Sequence, residues 1–261
     1  NVFIGHQCAD GAINGADYCV AIGSEAFRGA ATQDGTIAIG RHALSALTTG
    51  AGNVAVGNEA GRAATDNARN TVIGHGAYRY STSSDDNVVI GYNALRNAGS
   101  ANAASDKNIA IGSYALDAAD GGENDNIAIG YDAMGNANNS STEFNIAIGN
   151  YTLDAIAGNL QTGTIAIGHN ALTALTSGAG NTAVGYTAGT ALTTGERNTI
   201  LGHQALDGAS TEADDNVAIG YDALGGGIGT GAVIKCVAIG NYAMDAAVGV
   251  GASGTVAIGY N

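Results

Sequence analysis

Asn126-Ile127-Ala128-Ile129-Gly130 alternates bulky and small apolar residues and then closes on glycine, and the 261-residue chain repeats this phrase, or a near variant, fifteen times. Period-2 alternation is the signature of a short strand, with Ile on one face and Ala on the other. The closing glycines run from Gly5 and Gly23 to Gly240 and Gly259 at spacings of 17 to 21 residues. A fixed period of this size is expected of a solenoid in which each repeat forms one coil. The fold class is therefore all-β, a parallel β-solenoid or β-roll of about 15 coils of 17–21 residues each.

A second phrase follows each glycine, x-x-Ala-Leu, as in Arg41-His42-Ala43-Leu44 and His203-Gln204-Ala205-Leu206. The expected coil is thus strand, glycine bend, second strand, loop. Stacked at roughly 4.8 Å per layer, the coils would make a rod of roughly 70 Å. The fourth motif position is always Ile, Val or Leu, whereas the second admits Thr71, Thr182 and Thr199. On hydrophobicity alone the fourth position is expected to be the deepest core site, represented by Ile39, Ile90, Ile111, Ile129, Ile148, Ile167, Ile219 and Ile239. Asn opens ten of the copies, among them Asn70, Asn126 and Asn198, and stacked amides are expected to bond along a ladder.

A longer period overlies the short one. Residues 36–63 align without gaps on 164–191, an offset of 128 residues or seven coils. This divides one continuous solenoid into a first block at 1–129 and a second, homologous block at 130–261 that includes the start of a third. The chain opens on a motif Asn and stops two residues past the last motif Gly, so it is expected to be an excerpt of a longer fibre whose ends continue the stack or join end to end.

Lys and Arg number 9 against 23 Asp and Glu, for a formal net charge of −14, and no run of sequence gathers basic residues. Nucleic acid and anionic membranes are therefore not expected as partners. No 18-residue apolar run marks a membrane span. Cys19 and Cys236 stand in the motif's Asn position, which predicts packed small side chains, although a Cys8–Cys19 bridge between neighbouring coils stays open. There is no Pro, in keeping with an uninterrupted hydrogen-bond ladder.

The phrase Asn-x-Ala-Ile-Gly-x-x-Ala resembles the head repeats of trimeric autotransporter adhesins, the YadA-like left-handed parallel β-roll, over essentially the whole chain. Similar repeats occur in phage tail fibres. The resemblance implies a left-handed roll, a homotrimer about one axis, an extracellular place on a bacterial surface, and attachment to a host-surface or matrix ligand such as a glycan. A virion tail-fibre shaft is the alternative. The coils here are longer than the usual adhesin-head coil, with extra loop at 118–125 and 225–235.

The residue after the motif glycine is often Tyr or His, giving a stripe of His75, Tyr92, Tyr131, His169, Tyr186, His203 and Tyr221. Such rings either recognise sugars or a receptor, or shield the glycine bends. The histidines never fall in adjacent coils, so no metal site is expected. Acidic loops such as Asp85-Asp86, 120–125 and Asp214-Asp215 lack the known calcium-loop patterns and read as solvated charge. The Ile-Gly-x-x-Ala run also matches the hexapeptide of left-handed β-helix acyltransferases, but those enzymes carry it on three faces of each coil and this chain carries it once. No catalytic residue or cofactor is expected.

Overall fold

A computed structural model describes all residues except 12–14, 30–31, 33, 99–103, 139–141, 157–160, 209–211, 227–232, 246–252 and 261. The fold is an all-β parallel β-solenoid of about 15 coils, and no helix occurs among the described residues. The chain divides into two compact units, Asn1–Ile129 with Asn138–Ser140, and Gly130–Ala137 with Ser141–Asn261.

In the first unit, three-residue strands at Val2–Ile4, Val20–Ile22, Ile37–Ile39, Val54–Val56, Thr71–Ile73, Val88–Ile90, Ile109–Ile111 and Ile127–Ile129 pair in parallel. The second unit repeats this at Ile146–Ile148, Ile165–Ile167, Thr182–Val184, Thr199–Leu201, Val217–Ile219, Val237–Ile239 and Val256–Ile258. Each motif position lies over its equivalent, as Ile146 over Ile165 and Ala147 over Ala166. Two-residue strands in the longer loops pair as well, Thr142–Glu143 with Gln161–Thr162 and Ala213–Asp214 with Val233–Ile234.

The interior is the reverse of what hydrophobicity suggested. The central Ala of the strand is fully buried, as at Ala38, Ala128 and Ala166. Ile39, Ile90, Ile111, Ile129, Ile148, Ile167, Ile219 and Ile239, expected as core, are only half-buried within the chain and lie on the outer face of the sheet. The physical reason lies across the coil. Leu44, Leu47, Leu95, Leu116, Leu153, Leu172 and Leu175 enter from the segment after the glycine and fill the interior, so the strand side has room only for a small residue. At Ile200, which takes an Ala slot, the opposite side is glycine: a Cβ on Gly189 would lie 3.0 Å from the Ile200 Cδ1.

The expected second strand does not form. After most bends the chain alternates into left-handed conformation at two non-glycine positions, as at His42 (φ 58) and Leu44 (φ 47), or Asn170 (φ 56) and Leu172 (φ 51), while Gly61, Gly76 and Gly189 take one of the two places in their coils. The layers still bond there, but in opposite directions. His42 N–H donates back to the Ser24 carbonyl at 3.0 Å, and Leu44 N–H donates forward to the Ala60 carbonyl at 3.0 Å. These contacts over-determine a conformation that would otherwise cost about 1–3 kcal/mol per residue.

The Asn ladder is present. Asn198 Nδ2 and backbone N–H both donate to Asn181 Oδ1, at 2.9 and 3.0 Å, and Asn216 repeats both bonds onto Asn198 Oδ1 at 3.0 Å. Asn53, Asn70 and Asn87 form the same ladder in the first unit. Cys19 and Cys236 sit buried in this column, their N–H groups donating to Asn1 and Asn216, and none of the three cysteines forms a disulfide.

Candidate functional site

Every coil places the residue after its motif glycine at the same point on the surface, so a repeated Tyr or His becomes a column of rings. In the second unit Tyr131, Tyr151, His169, Tyr186, His203, Tyr221, Tyr242 and Tyr260 form an unbroken ladder with centroids 5.0 to 6.1 Å apart. In the first unit His75, Tyr92 and Tyr114 do the same at 5.5 and 5.4 Å. The structure thus brings together all seven residues of the expected stripe within their own units, and adds Tyr114, Tyr151 and Tyr242.

Those additions follow a rule that the spacing hid. Where the residue after the glycine is Ser113, Asn150 or Asn241, the tyrosine stands one place later. The contacts of the shifted rings with Tyr92, Tyr131, His169, Tyr221 and Tyr260 are edge-to-face, at 68 to 83°. Every contact between unshifted rings is stacked, at 12 to 26°. Asn150 and Asn241 use the vacated place to accept the backbone N–H of Tyr131 and Tyr221, at 3.0 and 3.1 Å.

Stacking decides what the ladder can present. The faces of Tyr186 and His203 are covered by neighbours on both sides, yet Tyr186 stays 50% exposed. Solvent therefore meets ring edges, phenol hydroxyls and imidazole nitrogens. Such an array presents hydrogen-bonding groups rather than open aromatic faces.

Beside the ladder, across the glycine, lies the outer sheet face with its two columns of Ile, Val, Leu and Thr. Ile73 is 40% and Leu201 47% exposed, and most other residues of the two columns are half-buried.

The acidic loops have structural roles. Asp85 and Asp106 carboxylates accept the backbone N–H of Ala68 and Asp85, each at 2.8 Å. Asp86 and Asp215 pair with Arg69 and Arg197, which hold both carboxyls below the usual range. Glu123 is buried under its loop and accepts from Ser105 Oγ at 2.9 Å and Gly121 N–H at 3.0 Å; burial raises its pKa. Among the described residues no three His, Cys, Asp or Glu side chains gather as metal ligands.

The expectation that basic residues are nowhere gathered does not survive stacking. Arg28, Arg62, Arg79 and Arg96 all stand five residues after a motif glycine and fall in one column of the first unit. The column also holds Asp10 and Asp117 at its ends, and the second unit, which has no arginine at that position, carries Asp154, Asp207 and Asp245 there. Asp154 and Asp207 are pushed up by burial and then by the neighbouring charges of Asp132 and Asp222. A 17-residue spacing conceals such a column from any reading of local charge.

Comparison of the chain with protein-family models, with curated proteins and with solved structures finds no match. No helix among the described residues is long and apolar enough to cross a membrane.

Proposed function

We propose that this chain is a segment of an extracellular attachment fibre, the head or shaft of a bacterial surface adhesin, non-enzymatic and assembled as a homotrimer. The observation that carries the reading is the outer sheet face. Two columns of aliphatic side chains, in register over eight strands in one unit and seven in the other, are left half-exposed. Soluble monomers rarely leave a contiguous apolar patch of this extent uncovered. The occupant best matched to a face of one repeated residue type is the same face on further copies of this chain, because flat β-branched columns interdigitate with their own kind. Three such faces meeting about one axis leave the aromatic ladders and loops outside, where a host-surface or matrix ligand such as a glycan would meet hydroxyl and imidazole edges. A virion tail fibre would use the same shaft, and the sequence flanking this segment separates the two settings.

The assembly is tested by sedimentation or light scattering. Three copies of a 25.6 kDa chain give about 77 kDa, and a single 25.6 kDa species removes the trimer. Ile148→Asp sharpens the measurement, since a carboxylate on this face is tolerated in a lone chain but buried without a partner in the assembly. The variant is expected to keep its far-UV dichroism and fall to 25.6 kDa. Attachment is tested with protein-coated beads on host-cell monolayers; retention no higher than that of uncoated beads would end the adhesive reading.

A further inference from the structure

We infer that the arginine column of the first unit is a binding groove for a linear anionic polysaccharide, one whose sugars carry carboxylate or sulfate groups. Arg28, Arg62 and Arg79 line a shallow cleft of ≈ 460 Å³ together with Ser45, Ala46, Ala63 and Tyr80, and Arg96 stands one layer beyond it. Backbone bonds fix the register of the column. Ala63 N–H donates to the Arg79 carbonyl at 3.0 Å, Tyr80 N–H to the Arg96 carbonyl at 2.9 Å, and Ser45 Oγ to the Arg62 carbonyl at 3.3 Å. Arg62, Arg79 and Arg96 therefore stand in consecutive layers, one guanidinium per roughly 4.8 Å.

The guanidiniums are partly ordered before any ligand arrives. Arg79 and Arg96 lie 5.0 and 5.9 Å from the ring centroid of Tyr80, within cation–π range. Glu59 holds Arg79 Nε at 2.7 Å and reaches Arg62 Nη1 at 3.5 Å, while Glu25 pairs with Arg28. Pre-ordering lowers the entropy lost on binding. The donors are not exhausted: Arg28 and Arg62 side chains remain 51% and 44% exposed.

The balance of charge selects the ligand class. Against Glu25 and Glu59, and with Asp10 and Asp117 at the two ends of the column, the four arginines leave positive charge only in its middle, at Arg62, Arg79 and Arg96, on a chain whose net charge is −14. A nucleic-acid strand, with a full negative charge on every nucleotide, would meet both carboxylates and the overall repulsion. Acid groups spaced by sugar rings match a sparse column better. Ala46 and Ala63 leave the floor low enough for a ring to lie down, and Ser45 offers a hydroxyl. Arginine is the side chain suited to carboxylate and sulfate through paired N–H donors.

The test titrates the purified protein with a heparin-derived oligosaccharide and with an oligogalacturonate, beside neutral dextran and single-stranded DNA. Binding of at least one acidic sugar is expected, weakening with added salt. Arg62→Gln and Arg96→Gln are each expected to weaken it about tenfold without a change in melting temperature, whereas Arg69→Gln, outside the column, leaves it intact. Absence of binding to both acidic sugars, equal loss in Arg69→Gln, or DNA bound as tightly as the sugars would overturn the proposal. Its failure is separable from failure of the fibre reading: an assembly of about 77 kDa that ignores acidic sugars sinks only the groove, and a binding-competent 25.6 kDa monomer sinks only the trimer.

Discussion

Residues 36–63 and 164–191 are the same piece of solenoid with a different exterior. They differ at eight of 28 positions: Arg41/His169, His42/Asn170, Ser45/Thr173, Thr49/Ser177, Val54/Thr182, Asn58/Tyr186, Glu59/Thr187 and Arg62/Thr190. None of the eight is buried in either segment. Every buried residue of one, from Ala38 and Leu44 to Asn53 and Ala60, is matched identically in the other. The first segment builds its surface from Arg–Glu pairs and the second from stacked rings, on one interior. The lesson is that this coil separates what holds it together from what it displays, so columns of surface residues can be rewritten without touching the stack.

The largest effect should come from the bend, and it should be equal in both segments. Gly40 and Gly168 each have φ +134, and a Cβ there would lie 2.2 Å from the carbonyl oxygen of the next motif glycine. That oxygen belongs to a backbone locked by its own ladder, so neither layer can yield. Gly40→Ala and Gly168→Ala are each expected to destabilise by more than about 3 kcal/mol, because backbone strain and steric overlap act together. Thermal melts that move in one variant and not the other would show that the two interiors are not equivalent.

Removing a rung of the Asn ladder ranks next. Asn198→Ala deletes the acceptor for Asn216 N–H and Nδ2, and with it the bond from Asn198 Nδ2 to the Ala213 carbonyl at 2.6 Å. Leaving buried donors unpaired costs about 1–3 kcal/mol each, so a loss of about 2–4 kcal/mol is expected. Asn53→Ala, which strips the same acceptor from Asn70, should match it. Denaturant titrations that differ by more than about 1 kcal/mol between the two would break the equivalence.

How much of this was legible in the sequence follows from the same separation. The coil period, the strand at each motif, the Asn column and the buried Cys19 and Cys236 could be read because each depends on one repeated position. Which face of the strand is the interior could not, since alternation separates Ile129 from Ala128 without saying which is inside. That choice is made by Leu44 and its equivalents across the coil. The left-handed turns at positions such as His42 and Leu44 were illegible because nothing in a non-glycine residue announces positive φ. Arg28, Arg62, Arg79 and Arg96 look isolated until stacking superposes them, and Tyr151 and Tyr242 join the ladder one place out of phase.

The exteriors should differ in their response to acid. At the position where the first unit carries arginine, Asp154 and Asp207 have pKa values raised by burial and by a neighbouring carboxylate. A raised folded-state pKa means that protonation favours the fold: the stabilisation is full below the ordinary carboxylate pKa of about 4 and is lost as pH rises through the raised value. The parent should therefore gain slightly on acidification over that window, by less than about 1 kcal/mol for groups this exposed to solvent. Asp154→Asn with Asp207→Asn should abolish that gain, and a pH–stability difference curve that stays flat between parent and variant would remove these carboxylates from the account.

The smallest expected effect is the most demanding test of the comparison. The combined substitutions Arg41→His, His42→Asn, Asn58→Tyr and Glu59→Thr convert four of the eight differing surface positions of the first segment to those of the second while leaving every buried residue in place. They remove the Glu25–His42 contact and the Glu59 pairs with Arg62 and Arg79, partly exposed interactions worth roughly 0–1 kcal/mol each. They also set an imidazole at position 41 and a phenol at position 58 in consecutive layers below His75, where each stacked pair contributes about 0.5–1.5 kcal/mol. The two changes should nearly cancel, leaving stability within about 1 kcal/mol of the parent and extending the run of stacked rings by two layers. A loss beyond about 2 kcal/mol would mean that the charged column helps to hold the coils, and that display and support are not separable in this solenoid.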